Sequence, residues 1–205
     1  MRYAFFVHLA VSLRVLPVMA GLLSGCAAAP APEGPQPLLP RAPFFRAAFN
    51  ASKGRPRLLM IISPTCGACL KGGDAVQKYL AAHPEAPLDV YAVWLPAWSE
   101  PDTEAAAESS SHRLTDPRIR QYWDGDKSLA MAIKAQLAWD NSPFAWDIYL
   151  LYGPEAVWGG TPPEPFDWVH QTYEERSGPH AQRFRGGHVQ QALEAMMRKL
   201  KPESP

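Results

Sequence analysis

Two cysteines separated by two residues are the part of this sequence best suited to chemistry. Cys66 and Cys69 lie in residues 63–69, which read SPTCGAC. Thiols at this spacing can form a disulfide, exchange it with another disulfide, or bind a soft metal ion. Zinc favours four ligands, and the sequence has neither a second CxxC motif nor a close pair of histidines. The pair therefore predicts thiol–disulfide exchange, with metal binding as the alternative.

The elements around the pair predict that Cys66 is the attacking sulfur. Residues 58–62 form a continuous apolar run, as expected of a strand buried on both faces. From Cys69 to Leu80, apolar and small residues recur at helical spacing. Cys66 then lies at a helix N-terminus, where free N–H groups and the helix dipole favour a thiolate. Cys69, one turn later, lies on the inward side and can resolve a mixed disulfide.

This strand–CxxC–helix order resembles the thioredoxin superfamily, and the resemblance extends over most of residues 55–201. Residues 88–95 look like the family's next parallel strand. Residues 147–152 with 156–158 look like its closing hairpin, and residues 189–200 look like its final helix. The resemblance implies an α/β fold with a central mixed sheet flanked by helices.

The segment 96–145 is longer than the one helix that a compact thioredoxin-like domain would need there. An Ala/Glu-rich stretch after Pro101, a capped segment containing residues 119–123, and an apolar stripe at 129–137 predict three packing helices. The predicted fold is therefore thioredoxin-like with a helical insertion at about 96–145. Residues 160–187 are rich in proline and glycine, and we expect one short helix around Trp168 between loops.

The chain departs from the thioredoxin pattern at three places. Thr65 precedes the first cysteine, where the family usually carries tryptophan. Met60 stands where the family usually carries a buried aspartate, so the resolving thiol has no obvious general base. The family's cis-proline would fall at residues 145–147, which here read AWD. Because that proline helps to exclude metals in the family, its loss favours the metal-binding alternative.

Four residues are candidates for a surface that contacts a partner: Thr65, Trp98, Trp146 and Asp147. Trp98 and Trp146 fall in loops at the end of the sheet that carries Cys66, and tryptophan favours recognition surfaces. Packing in the core is the alternative for both. Asp147 either lies across from Cys66, where its charge would raise the pKa of that thiol, or faces outward at the start of a strand.

The third cysteine belongs to a predicted export signal. Residues 1–25 carry Arg2 and Arg14 as their only charged side chains, with a nine-residue apolar run and small residues before Cys26. That run is too short to span a membrane. Residues 23–26, which read LSGC, resemble the lipobox of bacterial lipoproteins. The resemblance implies a lipid on Cys26, which becomes the first mature residue; a signal with a chance cysteine is the alternative.

Composition sets the expected organisation. The 205 residues carry a formal net charge of zero, which gives no basic face for nucleic acid, and three cysteines are too few for a disulfide-stapled scaffold. We predict a signal peptide at 1–25, a lipidated cysteine with a proline-rich tether at 26–50, and the thioredoxin-like domain at 51–203.

The expected function is thiol–disulfide exchange by a membrane-anchored extracytoplasmic protein, in the periplasm. Cys66 and Cys69 would be its catalytic residues, without a cofactor. Its partners would be a protein thiol or disulfide and a redox donor or acceptor. One alternative is a binding or transfer module in which the two thiols hold copper, zinc or mercury. Another is a structural lipoprotein with a static disulfide.

Overall fold

The computed structural model of the chain describes residues 34–139, 142–171, 182–183 and 189–200. The predicted signal peptide at residues 1–25 and Cys26 lie outside the described residues. Among the helices that are described, none combines the length and the hydrophobicity needed to cross a membrane.

A mixed sheet lies at the centre of the domain. Its described strands are β1 (Gln36–Pro37), β2 (Arg57–Ile62), β3 (Asp89–Trp94), β4 (Ile119–Trp123), β5 (Ile148–Tyr152), β6 (Asp167–His170) and β7 (Gln182–Arg183). Their order across the sheet is β1-β4-β3-β2-β5-β6-β7. The central strand β2 pairs with β3 in parallel and with β5 in antiparallel orientation. Both β2 and β3 are buried along their whole length, as their apolar sequences predict.

Helices cover both faces of this sheet. They are α1 (Pro43–Ala51), α2 (Gly67–Ala82), α3 (Glu104–Ser111), α4 (Ser128–Gln136) and α5 (Val189–Leu200). Alternate residues of β2 enter two separate apolar clusters, because successive side chains of a strand point to opposite faces. One cluster includes side chains of α2 and α3, and α5 packs against α2. The other includes side chains of α1 and α4.

This architecture confirms the predicted fold class. The chain has an α/β thioredoxin-like fold, in which β2 leads through the two cysteines into α2, β3 follows in parallel, β5 and β6 run antiparallel, and α5 comes last. The dithiol therefore lies at the carboxyl end of the central strand.

The insertion at 96–145 is not entirely helical, so that part of the prediction was wrong. It contains the helices α3 and α4, but Ile119–Trp123 forms strand β4, which pairs in parallel with β3. Spacing alone placed Ile119, Tyr122 and Trp123 on one helical face. These residues form a strand instead, because the backbone N–H and C=O groups along the edge of β3 need hydrogen-bond partners.

The closing hairpin also differs from its prediction. The partner of β5 is β6, Asp167–His170, and not residues 156–158. The region around Trp168 is therefore a strand rather than a short helix. Trp158 instead packs its ring against Phe45 and Phe49 in the core, at centroid distances of 5.2 and 5.3 Å.

The folded domain begins before residue 51. Helix α1 starts at Pro43, which suits the first turn of a helix because proline has no backbone N–H to satisfy. Phe45 and Phe49 of this helix are fully buried. Residues 36–51 are therefore part of the folded domain rather than of an extended tether.

Candidate dithiol site

The two cysteines lie where their spacing predicts. Cys66 is the N-cap of α2, and its Sγ accepts a hydrogen bond from the backbone N–H of Cys69 at 3.3 Å. Both are free thiols; Cys66 is half-buried, and Cys69 is fully buried. A partner disulfide can therefore approach Cys66 from solvent, whereas Cys69 is shielded from solvent.

Cys66, the more exposed of the two thiols, is also the more acidic. The pKa of Cys66 falls from 9.0 to about 7, chiefly because the Cys69 side chain donates a hydrogen bond to its thiolate, while burial and the charge of Asp147 oppose this. Burial raises the pKa of Cys69 well above 9.0, and interaction with Cys66 and Asp147 raises it further. Cys66 therefore ionises first and is the nucleophile.

This difference predicts a pH profile for the reactivity of Cys66. The rate of alkylation by iodoacetamide is expected to rise with pH and to reach half its maximum at about pH 7, since only the thiolate reacts. The measurement uses the Cys26→Ser chain in the presence of a chelator. Asp147→Asn is expected to lower the midpoint, because the negative charge of Asp147 raises the pKa of Cys66. A midpoint near 9 would contradict this description of the site.

Asp147 faces the two thiols and not the solvent. It is 2% exposed, and its carboxylate lies within 4.8 Å of both sulfur atoms. Its backbone adopts the left-handed conformation, with φ 51°, immediately before β5. Burial raises its pKa from 3.8 to about 6, while a hydrogen bond from Gln171 and the contact with Cys69 favour the ionised form. A buried carboxylate is thus present after all, supplied by the residue before β5 rather than by β2.

Gln171 holds this carboxylate and was not foreseen from the sequence. Its Nε2 donates to Asp147 Oδ1 at 2.9 Å and to the backbone carbonyl of Ala68 at 3.1 Å. It also lies 3.3 Å from the hydroxyl of Tyr149, and its backbone N–H donates to the carbonyl of Asp147. One side chain therefore connects the CxxC turn with the end of β6.

Gly72 allows this cluster to lie close to α2. A Cβ at this position would come 1.6 Å from the Tyr149 hydroxyl and 2.9 Å from Gln171 Nε2. At the neighbouring Gly73, a Cβ would meet its nearest atom, on Leu114, at an ordinary 3.4 Å.

These adjacent glycines give a matched pair of variants. Gly72→Ala is expected to lower the free energy of unfolding by about 1–3 kcal/mol, because the added methyl group overpacks the core. Gly73→Ala is expected to be neutral or to stabilise by up to about 1 kcal/mol, through the helix propensity of alanine. Urea unfolding followed by circular dichroism measures both. Equal effects of the two variants would refute the close packing at Gly72.

A second buried carboxylate positions the loop before Cys66. Asp102 is 3% exposed and accepts hydrogen bonds from the hydroxyls of Ser63 and Thr65 and from the backbone N–H of Trp98. Sequence reasoning did not single it out, since aspartate before a helix is also common as a simple cap. It fixes Thr65 and the Trp98 loop on the same side of the sheet as the CxxC turn.

The two tryptophan candidates contact each other. The rings of Trp98 and Trp146 meet edge to face, with centroids 5.2 Å apart. Trp98 is 44% exposed, whereas Trp146 is partly buried against both apolar clusters. Trp98 is therefore accessible at the surface, and its ring packs against the partly buried ring of Trp146.

Three side chains of the site can hold a metal ion. Within the part of the chain that the structure describes, Cys66, Cys69 and Asp147 are the only group of three potential ligands with all ligand atoms within 4.8 Å. His170 is buried elsewhere on the sheet, where its ring packs at 4.9 Å from that of Trp139.

The fold is similar to those of solved thiol–disulfide oxidoreductases. One is a secreted disulfide oxidoreductase of Mycobacterium tuberculosis homologous to E. coli DsbE, at 15% identity, covering 73% of this chain and 85% of that one with a TM-score of 0.44. Another is the thioredoxin domain of a thiol-disulfide oxidoreductase from Bacteroides vulgatus, at 14% identity, 71% and 81% coverage and a TM-score of 0.42. No protein-family model and no curated protein matches the chain. Similarities at these low identities and TM-scores do not assign a reaction to this chain. The chemistry of the site therefore follows from its own residues.

Proposed function

We propose that this chain catalyses thiol–disulfide exchange with a protein partner through Cys66 and Cys69. The observation that carries the proposal is the pairing of a half-exposed thiol at the N-terminus of α2 with a buried thiol one turn later. The first can attack a partner, and the second can release it.

The exchange proceeds in two steps in the direction of reduction. The Cys66 thiolate attacks one sulfur of a partner disulfide, so a mixed disulfide forms and the other partner sulfur leaves as a thiolate. Cys69 then loses its proton and attacks Cys66 Sγ, which releases the second partner sulfur. Two electrons pass to the partner, which takes up one proton from Cys69 and one from solvent. The reverse reaction oxidises a partner dithiol.

Asp147 is the group that accepts the proton of Cys69. Its carboxylate is buried beside that thiol, and its pKa of about 6 leaves it ionised at neutral pH. The transfer stays within the protein because Cys69 itself is shielded from solvent. Asp147 thus replaces the buried aspartate of the thioredoxin pattern, whose usual position holds Met60.

The partner surface next to Cys66 consists of Thr65, Trp98 and Trp146. The exposed face of Trp98 can pack on an apolar side chain next to the partner's cysteine, as aromatic residues do at the centre of interfaces. Asp102 holds Thr65 and the Trp98 backbone together, so this surface is formed before a partner binds.

The proposed location is extracytoplasmic, with a lipid on Cys26 as the membrane anchor. The support is the basic and apolar segment before residues 23–26 and their likeness to a lipobox. Metabolic labelling with a fatty acid is expected to mark the wild-type chain and not Cys26→Ser, and the mature chain is expected to begin at Cys26. An unlabelled wild-type chain would overturn the anchor without affecting the exchange reaction.

Reduction of an insulin disulfide tests the exchange reaction. The full chain with Cys26→Ser, which leaves only the proposed active thiols, is incubated with insulin, dithiothreitol and a chelator. The chain is expected to accelerate insulin precipitation over dithiothreitol alone. Asp147→Asn is expected to slow this reaction near neutral pH, where Asp147 is ionised and Cys69 is still protonated, and to have less effect below about pH 6, where Asp147 itself is protonated. A rate equal to that of dithiothreitol alone would contradict the proposal.

A further inference from the structure

The side chains of the dithiol site lie close enough to form a metal site after small movements. Cys66 Sγ, Cys69 Sγ and a carboxylate oxygen of Asp147 lie within 4.8 Å of one another. In a tetrahedral zinc site, with Zn–S of about 2.3 Å and Zn–O of about 2.0–2.2 Å, ligand atoms are about 3.5–3.8 Å apart. Small side-chain rotations, which move the ligand atoms by about 1 Å, therefore bring the three groups to these distances.

The third ligand is held in place by its own partner. Gln171 Nε2 donates to Asp147 Oδ1 at 2.9 Å and to the carbonyl of Ala68 at 3.1 Å, so the carboxylate is tied to the CxxC turn. Metal-binding carboxylates are characteristically oriented by such outer hydrogen bonds. Sequence spacing alone supplied two thiols, which is too few for a stable zinc site. The structure adds Asp147, the residue before β5, as the third ligand.

We propose that the reduced protein binds one Zn²⁺ through Cys66, Cys69 and Asp147. Two thiolates attract soft and borderline ions, whereas a carboxylate is a hard ligand that favours zinc over copper(I) or mercury(II). Cys66 is half-exposed, so the fourth position of the ion is open to water or to a side chain of a partner. Three protein ligands with one open position are the usual arrangement of catalytic zinc sites.

Zinc binding and disulfide formation exclude each other. Binding forms a bond from Zn²⁺ to each sulfur and displaces the proton of Cys69, without any change in oxidation state. A Cys66–Cys69 disulfide has no thiolate left to offer the ion. Zinc is therefore expected to slow the oxidation of the pair by oxidised glutathione, and a chelator is expected to restore the rate.

A competition titration tests the site. The full chain with Cys26→Ser is reduced, freed of metal and titrated with Zn²⁺ against a chromophoric chelator. One Zn²⁺ per chain is expected, and Asp147→Asn is expected to weaken binding by at least about tenfold, the lower limit for loss of a group that supports a metal site. Asp124→Asn is the matched control, since Asp124 is also buried and its pKa is also about 6, but it caps α4. This control is expected to retain the wild-type affinity.

X-ray absorption at the zinc edge gives a measurement that does not depend on any variant. The zinc-loaded chain is expected to show two sulfur scatterers, with oxygen or nitrogen completing the shell. Less than one Zn²⁺ per reduced chain, equal affinities of wild type and Asp147→Asn, or a sulfur count other than two would overturn the proposal. The thiol–disulfide exchange reaction is measured with a chelator present, so its result does not depend on zinc. A failure of zinc binding and a failure of the exchange reaction can therefore be told apart.

Discussion

Cys69→Ser is expected to trap the protein as a stable mixed disulfide with its substrate, whereas Cys66→Ser is expected to form none. The reason is the difference in access and acidity between the two thiols. Cys66 is half-exposed with a pKa of about 7, and Cys69 is buried with a pKa well above 9.0. Both variants are expected to lose insulin reduction down to the rate of dithiothreitol alone, since release needs the second thiol.

Non-reducing gels and mass spectrometry after incubation with oxidised insulin distinguish the two variants. Both are made in the Cys26→Ser background, so that no third thiol contributes. The assigned order of attack would be contradicted if Cys66→Ser formed a mixed disulfide through Cys69 as readily as Cys69→Ser forms one through Cys66. Retention of insulin reduction by either variant would contradict the two-thiol mechanism.

Arg57→Met is expected to lower the free energy of unfolding by about 3 kcal/mol, because it removes a buried, charged donor from four backbone carbonyl groups that are buried or partly buried. Arg57 begins β2 and is fully buried. Its guanidinium donates to the backbone carbonyls of Phe49, Gly153, Pro154 and Ala156. It also lies over the Phe49 ring, 4.5 Å from the centroid. One side chain therefore ties α1 and the loop after β5 to the central strand.

Arg55→Met is the matched control for this variant. Arg55 is two residues earlier, its side chain is 47% exposed, and it pairs with Asp89 at 3.2 Å. Because Arg55 is about half-exposed and makes a single ion pair, to the buried Asp89, its loss is expected to lower the free energy of unfolding by about 1 kcal/mol, less than the loss of Arg57. Urea denaturation compares the two variants. Equal midpoints for Arg55→Met and Arg57→Met would refute the role of the buried guanidinium.

The parts of the site that depend on neighbours in sequence could be predicted. The apolar run of β2, followed by CxxC and a helical pattern, is enough to place Cys66 at a helix N-terminus and Cys69 on its buried side. Both properties follow from local backbone geometry and hydrophobic spacing. The resemblance to thioredoxins extended this to the parallel strand β3 and to the final helix α5.

The parts that depend on distant segments could not be predicted. The sequence left two alternatives open for Asp147, and the one opposite Cys66 is the one observed. The left-handed backbone of Asp147 and the pairing of β5 with β2 decide between them, and neither is visible in its own neighbourhood. Gln171 arrives from the end of β6, a strand whose sequence suggested a helix. Ile119–Trp123 fits a helical or an extended pattern equally well, and the unpaired edge of β3 decides between them.

A redox titration of the Cys66–Cys69 pair tests the central claim most directly. The Cys26→Ser chain is equilibrated in glutathione buffers of graded potential, with a chelator present, and the fraction of free thiol is measured by alkylation and mass spectrometry. We expect a single two-electron transition in which both thiols disappear together. A midpoint near about −120 mV would make the protein an oxidant of its partners, and one near about −270 mV a reductant. A pair that stays fully reduced or fully oxidised across this range, or thiols that react independently, would contradict the account.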